Sequence, residues 1–413
     1  MKRLVNSEVR KLFNKYTLFM AFPMILVLGQ NITLLFFLYL YYIIPNKSVF
    51  YKYTHWIQYV VWLFMAGAII SVMDVNATAE DAQIRALSVL PNYIYWSVML
   101  IFLINLRNWL NLNTISEYIF KGLFISIVFY LVSPFLPKIP GFLNSFTPNT
   151  YAFLCISFTA PAATYLLYKK GYGYALLFVA VVLLSLLLAG RRAGFVLVFI
   201  SSMLSIHLKT ISVKQIFITL LVAGFTLFLL QFQFVEDTLY TASPRIHELI
   251  YENDDISATD RSILTRKLMI EKSLLIYEEH PFTGIGLNNF TNYEVAFKGG
   301  FEGSEFIVNK EGMNETNPHN SYASLLGDGG LFLIVPFLII LFYNFVQFIR
   351  YYTNRSHIAN TFYLAFLAMC VHLYFISAIL NVYAWFMIGI VTAVSCDNSY
   401  RNNVHNKNKG ILS

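Results

Sequence analysis

Eleven apolar runs, near 17–44, 55–73, 85–106, 118–136, 150–168, 173–189, 193–208, 213–232, 326–349, 359–379 and 381–396, follow one another with brief polar interruptions. Most approach the roughly 20 residues that carry a helix across ~30 Å of hydrocarbon, and this succession constrains the chain more than any other feature. Composition agrees: 57% of the residues are hydrophobic and 12% charged, where soluble domains carry about a quarter charged. The expected fold is an all-α integral membrane protein, a polytopic helix bundle.

Loop charges give the threading. Lys47 and Lys52, Arg107, Lys169 and Lys170, Lys209 and Lys214, then Arg350 and Arg355 fall at every second connection. That alternation is what results when Lys and Arg stay on the cytoplasmic side. One polar stretch, Phe234 to His319, stands apart, with 15 of the 22 Asp and Glu but 7 of the 29 Lys and Arg. An acidic domain suits the outer side. Both termini are then cytoplasmic if 17–44 makes two crossings, turning near Gln30–Asn31, with the first helix starting around Val9. The expectation is about twelve transmembrane helices. Residues 1–232 carry about nine of them, 233–319 form a large, partly helical periplasmic or extracellular loop, 320–397 carry about three, and 398–413 are a cytoplasmic tail. Met1 to Tyr16 has no short apolar run ending in a small-residue cleavage site, so it reads as a retained basic end. The net charge of +7 is explained by basic loops facing an anionic leaflet, so the lipid bilayer is an expected partner and nucleic acid is not. Cys155, Cys370 and Cys396 lack paired or metal-ligand spacing, which implies no disulfide framework.

Against this threading, Gly190-Arg191-Arg192-Ala193-Gly194 puts two arginines on the outer side, where cations are disfavoured. One reading is a snorkelling pair that caps a short turn; the other is a bidentate guanidinium site for phosphate. In the acidic stretch, Arg261 and Arg266 begin a segment to Tyr277 whose Ile263, Leu264, Leu268, Ile270, Leu274 and Leu275 recur at helical spacing. This amphipathic outer helix ends at His280-Pro281, before Gly284, Gly286 and Asn288, residues suited to a tight reversal. Most of its Glu and Lys read as a solvated face. At the exit of the stretch, His319-Asn320-Ser321-Tyr322 leads into Gly327-Asp328-Gly329-Gly330 and an apolar helix. A neutral imidazole at such a helix start suits general-base work.

In this order and spacing, the Gly-Arg-Arg-Ala-Gly loop, Arg266 ahead of His280-Pro281-Phe282-Thr283-Gly284-Ile285-Gly286, and His319-Asn320-Ser321-Tyr322 with Asp328 and Gly330 resemble the O-antigen ligase and polymerase superfamily. The resemblance spans roughly residues 185 to 335; the first 170 offer hydropathy but no matching motif. It implies a GT-C-like, metal-independent, inverting glycosyltransferase of the bacterial inner membrane that needs no cofactor. The donor would be an undecaprenyl-diphosphate-linked glycan and the acceptor a glycan or lipid A-core hydroxyl, with a chain-length regulator as partner of a polymerase. His319 is the implied catalytic base, Arg191, Arg192 and Arg266 the diphosphate-binding groups, and Asn320, Asp328 and Arg261 their supports. Pre-placed arginines would act where negative charge grows on the leaving diphosphate. No Asp-x-Asp element is present; Asp254-Asp255 is adjacent.

The chain departs from the family in two places. Ser-Arg is commoner where Gly190-Arg191 stands, which leaves open whether Arg191 or Arg192 meets phosphate, with dipeptide alignment favouring Arg191. Glu is commoner at Asp328, which leaves open whether this shorter carboxylate meets His319 or satisfies a helix terminus. Within the family a polymerase is favoured by the Gly-Arg-Arg loop, and a ligase is the alternative. A lipid-linked oligosaccharide transporter is a more distant alternative, weakened by the absence of an evident internal repeat.

Overall fold

The computed structural model describes residues 55–77, 80–107, 110–132, 147–207, 269–293, 295, 320–352, 355–376 and 381–397, together with nine single positions between 7 and 42. Among the described residues all regular structure is helical: α1 (Ile57–Met73), α2 (Ala82–Asn105), α3 (Leu112–Val132), α4 (Pro148–Lys169), α5 (Tyr172–Leu188), α6 (Arg192–His207), α7 (described over 269–279), α8 (Ser321–Tyr351), α9 (His357–Phe375) and α10 (Val382–Ser395), with a 3₁₀ turn at Phe290–Asn292. Five of them, α2, α3, α4, α8 and α9, are long and apolar enough to cross a membrane, and α1, α5, α6 and α10 are shorter apolar helices. Helices suit that setting because each satisfies its own backbone where no water can. The protein is thus a helical membrane protein. The expected runs at 17–44 and 213–232 lie outside the described residues, as does the supposed turn at Gln30–Asn31.

α8 shows how sequence becomes a lipid-facing surface. Phe332, Val335, Leu338, Ile339, Phe342, Phe345, Val346 and Ile349 are exposed, and their spacing of three and four lines one face of the helix. The opposite face buries Leu333, Phe337, Ile340, Leu341 and the polar Asn344.

The chain forms two compact units. The first comprises Met1–Gly29, Trp109–Ile256 and Tyr351–Met369. Its centre is α4, buried from Tyr151 to Thr164 and packed by α3, α5 and α6. At one end of α4 the Tyr130 and Tyr151 rings stack with centroids 4.0 Å apart, and Tyr151 shares a hydrogen bond with Ser185. At its other end, beside Lys169 and Lys170, the Tyr168 hydroxyl lies 3.0 Å from His357 Nδ1, and His357 Nε2 donates to the Ser205 carbonyl at 2.7 Å. Arg355, buried, lies over the Tyr363 ring at 4.4 Å. Lys169, Lys170 and Arg355 therefore share one end of this unit and Arg191 holds the other, as the charge alternation requires.

The second unit comprises Gln30–Asn108, Ser257–Arg350 and Cys370–Ser413. Here α2 packs against both α1 and α10, around Phe64, Trp385 and Phe337, whose rings lie 5.3 to 6.2 Å apart. Three hydrogen bonds between polar side chains are buried in this core. Asn344 Nδ2 donates to Thr392 Oγ1 at 2.9 Å, Ser395 Oγ donates to Asn344 Oδ1 at 2.8 Å, and Gln58 Nε2 donates to Asn105 Oδ1 at 2.9 Å.

Candidate functional site

The Gly-Arg-Arg-Ala-Gly sequence is a helix stop and start with nothing to spare. Gly190 takes φ 66°, the left-handed conformation that glycine adopts without penalty. Its N–H bonds the Leu187 carbonyl while the Arg191 N–H bonds that of Leu186, so the turn closes the end of α5 from within. Gly194 serves packing instead. A Cβ there would lie 3.1 Å from that of Ala152, so its bareness lets α6 approach α4. The Arg191 side chain, half-buried at this end of the first unit, is in electrostatic reach of Tyr130. For Arg192 the structure describes the backbone alone.

In the second unit the two remaining motifs interlock. α8 is broken at Gly330, whose φ of 55° and ψ of −151° are not helical. An unbroken helix would bond the N–H groups of residues 331 and 332 to the carbonyls of 327 and 328. Instead the loop after α7 enters the break: Leu331 N–H donates to the Pro281 carbonyl at 2.9 Å and Phe332 N–H to that of Phe282 at 3.1 Å, while Gly327 and Asp328 carbonyls accept from Ile285 and Gly286, both at 3.0 Å. Two helical bonds are exchanged for four loop bonds, which matters because an unpaired backbone group inside a membrane protein is expensive. The positive φ values of Gly284, Gly286 and Asn288 shape the wedge, as the sequence led one to expect. A Cβ on Gly284 would come within 2.4 Å of the Gly327 carbonyl oxygen.

α1 and α2 clamp the wedge from the side. The Ser71 hydroxyl reaches the carbonyls of Asp328 at 2.7 Å and Thr283 at 3.0 Å; Thr283 Oγ1 donates to Asp74 Oδ2 at 2.7 Å; Asn76 Nδ2 donates to the Gly284 carbonyl at 3.0 Å. Beneath it, Met269, Ile276, Ile285 and Phe290 form a small buried core. This core selects a face of α7 other than the expected one: Leu274 is exposed, whereas Lys272 is buried with its amine 5.1 Å above the Phe290 ring. The difference arises because docking of 285–290, and not helical periodicity alone, decides which side is covered. Further along, Tyr293 donates to Glu279 Oε2 at 2.9 Å. Burial, then this bond, pushes its hydroxyl up to about 12.

Asp328, a supporting residue by sequence, is engaged by the wedge. Its Oδ1 accepts the backbone N–H groups of Asn289 at 3.1 Å and Phe290 at 2.9 Å, and its Oδ2 accepts the Ser324 hydroxyl at 3.3 Å. The terminus it satisfies belongs to the neighbouring 3₁₀ turn rather than to its own helix. Asn320, the other supporting residue present, caps α8: its Oδ1 accepts from the N–H groups of Tyr322 at 2.9 Å and Ala323 at 3.1 Å, as a good N-cap does. Ser321 Oγ and the Tyr322 hydroxyl tie the same turn to the Ile376 and Cys370 carbonyls. Helical rise separates Asn320 from Asp328 by about 12 Å along the axis. The first turns of α8 are thus held at both ends, with residue 319 joined to the near one.

His319, Arg261 and Arg266 lie outside the described residues. Arg191 belongs to the first unit, Asn320 and Asp328 to the second. Sequence reasoning did not single out Ser71 or Asn76, both of which hold the wedge; a lone Ser or Asn in or just beyond an apolar helix carries no signal of a partner two hundred residues away. Among the described residues no cluster of His, Cys, Asp and Glu has the geometry to hold a metal.

Comparison with known proteins bears on this arrangement directly. The family model described as O-antigen ligase matches residues 176–338, a stretch that contains the Arg191 turn, α7, the wedge and the kink of α8. No curated protein matches the chain.

Proposed function

We propose that this chain, whose residues 176–338 match the family model described as O-antigen ligase, is a member of the O-antigen ligase and polymerase superfamily and an inverting glycosyltransferase using an undecaprenyl-diphosphate-linked glycan as donor. The observation that carries the reading is that one family match covers both the arginine turn and the interlocked wedge and kink. In the proposed reaction, His319 takes the proton of an acceptor hydroxyl as its oxygen bonds to the anomeric carbon. The bond from that carbon to the diphosphate oxygen breaks on the opposite face, and undecaprenyl diphosphate leaves with the electron pair. Arg191, Arg266 and Arg192 carry the growing phosphate charge, with Arg261 in a supporting role; a planar fork matches two phosphate oxygens at once. Asn320 and Asp328 act on His319 through the helix start that they hold. No step needs a cofactor or metal.

The same proposal includes a twelve-helix, GT-C-like bundle in the bacterial inner membrane, with cytoplasmic termini, the 233–319 loop outside, and the division into 1–232, 233–319, 320–397 and a tail. We favour a surface-polysaccharide polymerase, on the Gly190-Arg191-Arg192 loop, with a chain-length regulator as partner. A ligase that delivers glycan to lipid A-core has the matching family's description in its favour.

Gel analysis of surface polysaccharide and lipid-linked intermediates in a deletion strain, complemented with wild type or His319→Ala, tests both. Single repeat units on lipid A-core mean a lost polymerase. Full-length chains stranded on undecaprenyl diphosphate over bare core mean a lost ligase. An unchanged pattern in both strains overturns the transferase and returns the transporter.

A further inference from the structure

Arg85 has no role in any reading above, yet its surroundings are built. It lies one turn into α2, and the residue before that helix, Asp81, is an N-cap type whose side chain makes no cap bond. An Asp there ordinarily accepts a first-turn N–H. Here its carboxylate accepts the Arg85 guanidinium at 2.9 Å. Arg85 Nε in turn donates to Asn289 Oδ1 at 3.1 Å. Asn289 is fully buried, and its amide donates to the carbonyls of Ala82 at 3.1 Å and Leu287 at 3.2 Å, so every polar atom of that side chain is engaged. The start of α2 has been turned into a socket for one asparagine.

The socket is not arranged for stability alone. Arg85 Nη2 is buried without a hydrogen-bond partner, an arrangement that disfavours the folded state. What this arginine secures is the end of a chain of contacts. Asn289 N–H meets Asp328 Oδ1, Asp328 Oδ2 meets Ser324 Oγ, and Ser324 N–H meets the carbonyl of Asn320, the N-cap adjoining His319. All of these residues belong to the second unit.

We propose that Arg85 is a positioning residue of the transfer site: through Asn289 it holds the turn that Asp328 reads, and so sets where the start of α8 presents residue 319. This rests on the transferase reading above. It gives Arg85 a role unlike that of Arg191, since its guanidinium is spent on protein groups and not offered to phosphate.

The test uses full-length protein in lipid nanodiscs, with Arg85→Met, Asn289→Ala and the double variant, read out by transfer kinetics from a lipid-linked donor and by hydrogen exchange of the 285–290 amides. The expected result is a kcat lowered roughly tenfold to a hundredfold, the size of effect that a small misplacement produces, with donor KM unchanged. Both single variants should show faster exchange at Asn289 and Phe290, and the double variant should be no worse than the poorer single. Arg85→Lys should recover part of the loss, because an ammonium can meet Asp81 or Asn289 but lacks the fork to meet both. Should Arg85→Met fail to fold, Arg85→Lys and Asn289→Ser carry the same comparison. A raised donor KM with kcat intact, losses that multiply in the double variant, or wild-type kinetics with unchanged exchange would overturn the role. If the wild-type protein transfers no glycan, the transferase reading fails by itself. Exchange alone then decides whether Arg85 holds the 285–290 turn through Asn289: faster exchange in the variants keeps that part, and unchanged exchange removes it as well.

Discussion

The Arg191 turn and the wedge at Gly330 are both glycine-rich, both hold a charged residue between helices, and both fall within one family match, but they use glycine and charge in opposite ways. At the turn, Gly190 lets the backbone satisfy itself within residues 186–191, a closure made by backbone groups alone. At the wedge, Gly284 and Gly330 remove side chains so that two backbones can exchange hydrogen bonds, and the Asp328 carboxylate is consumed by that exchange. A charged residue in a glycine-rich motif is thus not by that fact a catalytic one. The question to ask is whether neighbouring backbone has already claimed it.

The comparison breaks most readily at Gly284. Gly284→Ala puts a Cβ against the Gly327 carbonyl and Asp328 backbone at a positive φ, and should destabilise by about 3–5 kcal/mol, read as loss of the folded species by thermal unfolding in detergent. Next comes Arg191→Ala. It should leave the unfolding midpoint near that of wild type while lowering glycan transfer by at least roughly a hundredfold, and Arg191→Lys should lose most of the activity too. A variant that unfolds early would erase the contrast between the two regions. Asp328→Ala, by stranding two backbone N–H groups and a hydroxyl, should cost about 2–5 kcal/mol. Asp328→Asn should cost less, since its carbonyl still accepts at Oδ1, and comparison of the two melting curves separates hydrogen bonding from charge. The smallest effect belongs to Gly190→Ala, about 1 kcal/mol for a left-handed alanine, with transfer retained; a loss comparable with that at Gly284 would mean the turn is packed as tightly as the wedge.

Most of the helical framework is legible in the sequence. Nine of the apolar runs reappear as α1 to α6 and α8 to α10 within a few residues, because crossing a membrane demands apolar length and internal backbone bonding, both of which are properties of contiguous sequence. The positive φ at Gly284, Gly286 and Asn288 was legible for a similar reason, since left-handed backbone is a local preference. The buried face of α7 was not legible, nor was the engagement of Lys272 with Phe290, because several faces of a short helix are apolar enough to be covered and only the docked loop chooses among them.

By itself, then, the sequence determined that this is a helical membrane protein, where its described helices run, and the charge alternation that sends Lys169, Lys170 and Arg355 to the end of the first unit opposite Arg191. Tertiary structure alone decided that the His280–Gly286 motif fills the break in α8, that Asp328 serves a turn thirty-eight residues before it, and that Ser71, Asn76, Arg85 and Asn289 belong to the same assembly. The physical reason is range. Helix formation and membrane insertion are read from neighbours in the chain, whereas a broken helix must find its replacement hydrogen bonds wherever the fold brings a backbone close enough to supply them.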